Sequence, residues 1–467
     1  MTADQTARGV TSRRRFLKSC GLLIGVAASG SLLQACAGAP PAPTAAPAKP
    51  AEAKPTTAPA ASPAASPAAS PAASPSPAAS PSPAAVASPA ASPVAAAPAA
   101  KPATTQALKL GVVLPYSKVY AQLGESITNG MQLYFDSVGG MAGGRTIEMI
   151  KEDEEVDPQV GLRKARKLVE QDNVDIMTGV VSTAAVYAIR DFVDQTKTLF
   201  VCSNAGGNDL TRARKSPYIF RTSFSNAQPS LPMGEYVAAR AKRVTLAAAD
   251  YGAGRESMAA FRGGFERAGG TIVGEVYPPF PNTEYAPFLG QIQAANPEAV
   301  YCFFAGSDAV NFVKQYDEFG LKSNIKLFGS GFLLEQDVFE AQGLAGVGGV
   351  TSLHWALTLE NAENRKFVAD YRARFNRDAD VYALQGFDTA RFIVDALAKT
   401  NGNTQDKDAV IKAMESISFA SPRGPFQMDP QTHNPIHNMY ARETRNEGGK
   451  AANVVVETFR DIKDPGA

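Results

Sequence analysis

Leu108-Lys109-Leu110-Gly111-Val112-Val113-Leu114-Pro115 is a short, almost wholly apolar run closed by a proline. A run of this length, uninterrupted by polar alternation, reads as a strand buried on both faces of a parallel sheet. The residues after it support that reading. Apolar residues recur at helical spacing over Tyr120–Phe135, and the pattern then repeats. It predicts strands over Ile147–Ile150, Val174–Val181 and Leu199–Cys202, with helices over Gln159–Glu170 and Thr183–Val193 between them. A break is expected from Arg221 to Pro232, where Pro217, Pro229 and Pro232 crowd together. The series then restarts with strands over Val244–Ala248, Thr271–Val276, Ala299–Phe304 and Ile325–Phe328. Helices are expected over Ser257–Ala268, Phe288–Ala294 and Asp308–Phe319. Two successive βα series predict an α/β chain with two doubly wound parallel-sheet lobes. In such sheets the crevice for small molecules lies beyond the carboxyl ends of the strands.

Outward from this centre the composition changes. From residue 37 to 106 the chain is nearly all Ala, Pro, Ser and Thr, with Ala-Ala-Ser-Pro units repeated between Ala60 and Pro75. Such a segment cannot bury a core, and its composition predicts a disordered tether. Stiffened toward polyproline II, roughly seventy residues reach on the order of 200 Å. Of 467 residues, this leaves about 360 with globular composition, enough for two buried lobes. Lys plus Arg is 46 and Asp plus Glu is 45, so no basic footprint argues for a nucleic-acid partner. The four cysteines, Cys20, Cys36, Cys202 and Cys302, are too few for a disulfide scaffold. Cys202 and Cys302 fall on strands of different lobes and read as buried thiols.

The amino terminus reads as an address. Ser12-Arg13-Arg14-Arg15-Phe16-Leu17-Lys18 matches a twin-arginine export signal. The stretch Cys20–Ala35 is apolar but too short and glycine-rich for a membrane span. Leu33-Gln34-Ala35-Cys36 resembles a lipobox: Ala35 is the small residue before the cut and Cys36 the thiol that accepts the acyl chain. Residues 1–36 are expected to be a lipoprotein signal peptide, Cys36 the lipidation site, and the mature chain lipid-anchored to the outer face of the cytoplasmic membrane.

Several segments together resemble the type I periplasmic binding proteins, the branch typified by leucine/isoleucine/valine-binding proteins. Leu110–Pro115 with Leu123-Gly124 and Asn129-Gly130-Met131 resembles the family's opening strand and helix. Gly179-Val180-Val181-Ser182-Thr183 and Ser203-Asn204-Ala205-Gly206, ending in Leu210-Thr211, resemble its two ligand loops. Tyr218–Thr222 resembles the first hinge crossing, and Ala249-Asp250-Tyr251-Gly252 with Gly269-Gly270 the second lobe. The resemblance covers Leu108 to Phe459. It implies a three-strand hinge with crossings near Thr222, Thr351 and Pro435. The first lobe would be 107–222 and 352–435, the second 223–351 and 436–467. It also implies the solute receptor of an ABC importer: a monomer that binds a small carboxylate, closes on it, and docks on a permease without any cofactor.

Candidate ligand residues follow from strand ends and from the resemblance. Ser182 and Thr183 stand where a strand hands over to a helix, so a hydroxyl and free amide groups face the crevice, suited to a carboxylate. Asn204, Ala205 and Gly206 follow the next strand at the same edge, and small residues there admit a ligand to the backbone. Tyr120 and Leu123 are placed on the first-lobe rim. The resemblance assigns Tyr251 to a contact from the second lobe. Of Phe303 and Phe304 one faces the crevice, since side chains alternate, and Phe304 is the expected one. Gly331 and Phe332 lie in the loop where branched-chain amino acid binders carry a glutamate for the ligand's ammonium. Gly331 stands at that position, with Glu335 four residues on. This departure points toward the subgroup that takes aromatic carboxylates.

Other classes find little support. The three histidines, His354, His433 and His437, sit in no nucleophile motif, and no Gly-x-Ser-x-Gly elbow or phosphate loop occurs. Glu152-Asp153-Glu154-Glu155 with Asp157 reads as a solvated turn rather than a metal site. The alternative within the same fold is a ligand-sensing domain acting through a partner protein; an α/β enzyme ranks below it.

Overall fold

The computed structural model describes residues 106–466. The expected signal segment, Cys36 and residues 37–105 lie outside the described residues. The first sheet comprises β1 (Leu108–Leu114), β2 (Met141–Ala142), β3 (Arg145–Asp153), β4 (Ile176–Gly179), β5 (Phe200–Cys202) and β6 (Ile219–Arg221). Their order is β2-β3-β1-β4-β5-β6, parallel except for the β2–β3 pair. Helices α1 (Ala121–Ser137), α2 (Pro158–Glu170) and α3 (Thr183–Thr196) connect them. β1 is buried along nearly its whole length, as a strand covered on both faces must be.

The second sheet takes β7 (Arg243–Ala248), β8 (Thr271–Val276), β9 (Ala299–Phe303), β10 (Lys326–Ser330) and β11 (Val350–Leu353), all parallel. Four antiparallel strands extend it: β12 (Ser418–Ser421), β13 (Gly424–Met428), β14 (Pro435–Glu447) and β15 (Lys450–Ile462). Its helices are α4 (Ala227–Ala238), α5 (Gly252–Arg267), α6 (Ala286–Ala294), α7 (Ser307–Glu318) and α8 (Gln336–Gln342). The chain then returns to the first sheet through α9 (Ala362–Phe375), α10 (Val381–Lys399) and α11 (Lys407–Glu415), with α10 packed along α1.

Three features differ from the sequence reading. The proline-rich break is shorter than expected, because α4 starts at Ala227 and runs through Pro229 and Pro232. Pro229 falls in the first turn, where its missing N–H has no partner to lose. Pro232 is held by tertiary packing: a Cβ on Gly264 of α5 would overlap the Leu231 carbonyl, so the two helices touch backbone to backbone. The boundary expected at Thr351 falls inside β11, where Thr351 pairs with Gly329 and Arg442, and the chain leaves the second sheet only after Leu353. Residues 418–428, expected in the first lobe, hydrogen-bond into the second sheet as the β12–β13 hairpin.

The acidic run 152–157 is wired into the structure rather than left in solvent. Glu152 pairs with Lys164 and Lys167, Asp153 accepts the Tyr116 amide, and Asp157 caps α2 ahead of Pro158. Among the described residues no His, Cys, Asp and Glu side chains group to hold a metal, and no helix is long and apolar enough to cross a membrane.

The α1–α10 contact sets the first lobe's thickness. A Cβ on Gly386 would overlap the Ile127 carbonyl, and one on Gly130 the Ala383 carbonyl. Gly386→Ala is therefore expected to destabilise the fold by ~1–3 kcal/mol through overpacking, read by denaturant unfolding. An unchanged midpoint would show that the two helices can separate freely.

Candidate ligand cleft

The carboxyl ends of both parallel sheets face a common cavity. Six aromatic side chains line it: Tyr120 after β1, Phe224 after β6, Tyr251 after β7, Phe303 at the end of β9, Phe332 after β10, and Tyr382 in the first turn of α10. Thr183, Asn204 and Asn226 supply its polar groups, and Leu123, Val181, Gly206, Ala253 and Ala305 complete the wall. The free space among them is about 20 Å3, room for little more than a water molecule, so a ligand is admitted only as the rings move apart. Among the described residues no charged side chain lines it. A larger depression, much of it open to solvent, borders Gln336, Asp337, Arg377, Asp380 and Lys450. None of the ligand residues expected from the sequence lines it, so its size does not make it the site.

The Thr183 corner is built by a buried carboxyl. Glu154 Oε1 accepts the amides of Val181 (3.0 Å) and Ser182 (3.3 Å), which turns the chain out of β4. Gly179, at φ 126°, makes that turn possible, since a Cβ there would overlap the Val113 carbonyl. Burial pushes the Glu154 carboxyl up to about 8, partly offset by the two amide bonds. Ser182 is the α3 N-cap residue yet makes no side-chain cap, so the first-turn amides of α3 keep their donors for another group. Thr183 is buried beside them and lines the cavity.

Groups from the two lobes also meet directly. Tyr120 and Tyr251 share a hydroxyl hydrogen bond of 3.0 Å. Glu256 of α5 accepts from the Tyr187 hydroxyl (2.7 Å) and the Asn208 amide (2.7 Å), both first-lobe groups. Burial holds the Tyr120 and Tyr251 phenols well above their ordinary value, so both stay protonated. Tyr251 stacks on Phe280 with ring centroids 4.6 Å apart, and Phe224 and Phe332 lie 5.0 Å apart.

Of the residues expected from the sequence, Tyr120, Leu123, Thr183, Asn204, Gly206, Tyr251 and Phe332 meet at this cavity. Four do not. Phe304 points into the second-lobe core, stacked 4.4 Å from Phe312 and edge-on to Tyr285; strand alternation gives the cavity Phe303 instead. Ala205 packs into the first-lobe core, and Ser182 serves as the N-cap with its amide on Glu154. Gly331 faces away: a Cβ there would overlap Arg442 and Leu353, and its carbonyl accepts from Arg442. Glu335 is buried as well, paired with Arg442 at 2.6 Å and bound to the Val381 amide at 3.1 Å. Sequence reasoning missed Phe224, Asn226 and Tyr382. The first two follow β6 as the earlier loops follow β4 and β5, a signal available in the sequence. Tyr382 comes from the distant α10, and its arrival depends on the α1–α10 packing.

Residues 107–450 match the periplasmic binding protein family model. The chain belongs to the periplasmic binding protein family. A solute-binding protein of an ABC transporter from R. palustris, solved with benzoate, is 36% identical over 76% of this chain and 98% of its own, at TM-score 0.72. Another, from Rhodopseudomonas palustris BisB5 with 3,4-dihydroxybenzoic acid, is 34% identical over 77% of this chain and 99% of its own, at TM-score 0.74. Leu/Ile/Val-binding protein homolog 6 of Brucella melitensis is 29% identical over 77% of this chain and 93% of its own. This periplasmic binding protein is accordingly an extracytoplasmic solute-binding component of an ABC transporter and not an enzyme.

The Glu154 carboxyl makes a pH prediction. Its raised value means its stabilising contribution is fully present below about 4.5 and lost as pH rises through about 8. Glu154→Gln, which mimics the protonated form, should melt increasingly above the parent between those values, with a constant gap beyond. A pH series of thermal melts checks this; a gap that does not grow would place the charge elsewhere.

Proposed function

We propose that this periplasmic binding protein carries a small aromatic carboxylate without an α-ammonium group. One observation carries the reading: six aromatic rings and no charged side chain line the cavity. An ammonium buried there would find no carboxylate, because Glu335 is held by Arg442. A ring gains from burial and from aromatic pairing, at ~0.5–1.5 kcal/mol per pair beyond area. The ligand's carboxylate is received by the Thr183 hydroxyl and the first-turn amides of α3. The benzoate and dihydroxybenzoate held by the two Rhodopseudomonas proteins support the same class. The name of the Brucella relative favours a second reading, a branched-chain amino acid.

The working cycle is hinge closure. The open first lobe engages the carboxylate, the second lobe brings Tyr251, Phe303 and Phe332, and the closed monomer docks on a permease. Sensing through a partner protein would use the same cleft. The chain is exported by its twin-arginine signal and anchored through lipidated Cys36, the tether carrying the lobes away from the membrane.

A thermal-shift panel of benzoate-type acids, branched-chain amino acids, amides and dicarboxylates tests the ligand class. A cleft ligand at a hundred times its dissociation constant adds ~2.7 kcal/mol. Aromatic acids should stabilise the protein, and Thr183→Ala should weaken them roughly tenfold to a hundredfold by calorimetry. Stabilisation by leucine or valine alone would replace the aromatic reading with the second one. For the anchor, Cys36→Ser should move the protein from the membrane fraction to the soluble one; continued membrane fractionation would refute lipidation at that residue.

A further inference from the structure

We infer that Asn226 is the specificity-determining residue of the cleft: its Oδ1 accepts a hydrogen bond from a ligand hydroxyl, so the ligand is a hydroxylated aromatic acid. The inference rests on the aromatic-carboxylate reading above. Asn226 is 1% exposed and lines the cavity between Phe224 and Gly206. Its Nδ2 donates to Glu256 Oε2 at 3.0 Å. A carboxylate oxygen can only accept, so the amide nitrogen must face Glu256 and the oxygen must face the other way. Glu256 is itself fixed by the Tyr187 hydroxyl and the Asn208 amide, so turning the Asn226 amide over would lose its bond and set its oxygen against a held carboxylate oxygen.

The oxygen so oriented has no donor. Asn226 Oδ1 is fully buried and, among the described residues, unpartnered. It lies against Gly206, where a Cβ would overlap it, and beside the edge of the Phe224 ring. A buried carbonyl of this kind is costly unless a partner arrives. The partner must be a donor, so the ligand's carboxylate is excluded from this end and belongs at Thr183. An ammonium brings a charge and three donors to a wall whose acceptors are all neutral. A phenolic hydroxyl brings one donor and no charge. The Tyr382 hydroxyl, also unpartnered and buried at the cavity, can donate or accept and does not discriminate. Asn226 Oδ1 does.

Calorimetry on the full chain with benzoate, its three monohydroxy isomers and the matching methoxy acids tests this. At least one hydroxybenzoate should bind about 10-fold more tightly than benzoate and than its own methoxy analogue, which has the shape without the donor. In Asn226→Leu that ratio should fall toward one, whatever happens to absolute affinity. Asn226→Ser, which keeps an acceptor, should retain part of it and serves if the leucine variant fails to fold. Benzoate binding as tightly as every hydroxy isomer would overturn the inference while leaving the aromatic reading intact. A ratio that survives in the folded leucine variant would remove Asn226 from the role. No binding by any aromatic acid, with stabilisation by leucine or valine, would overturn both.

Discussion

Three arginines, Arg221, Arg423 and Arg442, are buried without exposed surface where the chain passes between the sheets, and much of the polar structure around the cleft is committed to them. A buried guanidinium is tolerable only when its donors are met. Arg221 does this largely with neutral oxygens: the Asn434 side chain, the carbonyls of Ala205 and Gly207, and the Thr211 hydroxyl. Those carbonyls bracket Gly206, so the same residue that ties the first crossing to the third also holds a ligand loop. Arg423 pairs with Asp388 and reaches the Ser223 carbonyl and His437, joining α10 to two crossings. Burial, with Arg423 beside them, holds His354 and His437 well below the usual histidine range, so no further cation enters this layer.

The third arginine explains why the cleft is neutral. Arg442 draws in Glu335, the carboxylate four residues past the position where an amino-acid ligand would need one. Glu335 in turn receives the Val381 amide and so sets the first turn of α10, from which Tyr382 enters the cavity. The acid has been moved from recognition into support. Glu256 has likewise gone to the contact between lobes, and Glu154 to the Thr183 loop. The cavity is left with rings, hydroxyls and amides, whose recognition is directional and carries no net charge.

The alternation of short apolar runs and amphipathic helices made the two βα series legible, because buried parallel strands have no other periodicity to show. The second sheet's antiparallel extension was not read, although Gly448-Gly449 between β14 and β15, both at positive φ, is a hairpin signal. At the cleft, residues two to four places past a strand were legible, Thr183 and Asn204 from topology and Tyr251 from the family resemblance. The choice between Phe303 and Phe304 was not, because one residue of strand register decides it. Gly331 was read at the right loop for the wrong reason, since its missing side chain makes room for Arg442 and not for a ligand. Asn226 was invisible as chemistry: only the Glu256 contact reveals which of its amide atoms is left without a partner.

Under the proposed closure, the division of groups between lobes sets how a ligand controls the hinge. Thr183, the α3 amides and Asn204 belong to the first lobe and can hold a carboxylate while the cleft is open. Tyr251, Phe303 and Phe332 come from the second lobe and cover the ring only when the lobes meet. The polar contacts between lobes, among them Tyr120 with Tyr251 and Tyr187 with Glu256, each exchange water for protein at a net ~0.5–1.5 kcal/mol, more where the Glu256 charge takes part. Apolar surface removed from water contributes about 25 cal/mol per Å2, so a ring sealed between six aromatic side chains outweighs any one of them. Where the lobes meet, the same rings pack on one another, Phe224 on Phe332 and Phe332 on Tyr382. The ligand therefore takes the place of these ring-to-ring contacts, and it favours closure to the extent that its own burial exceeds theirs.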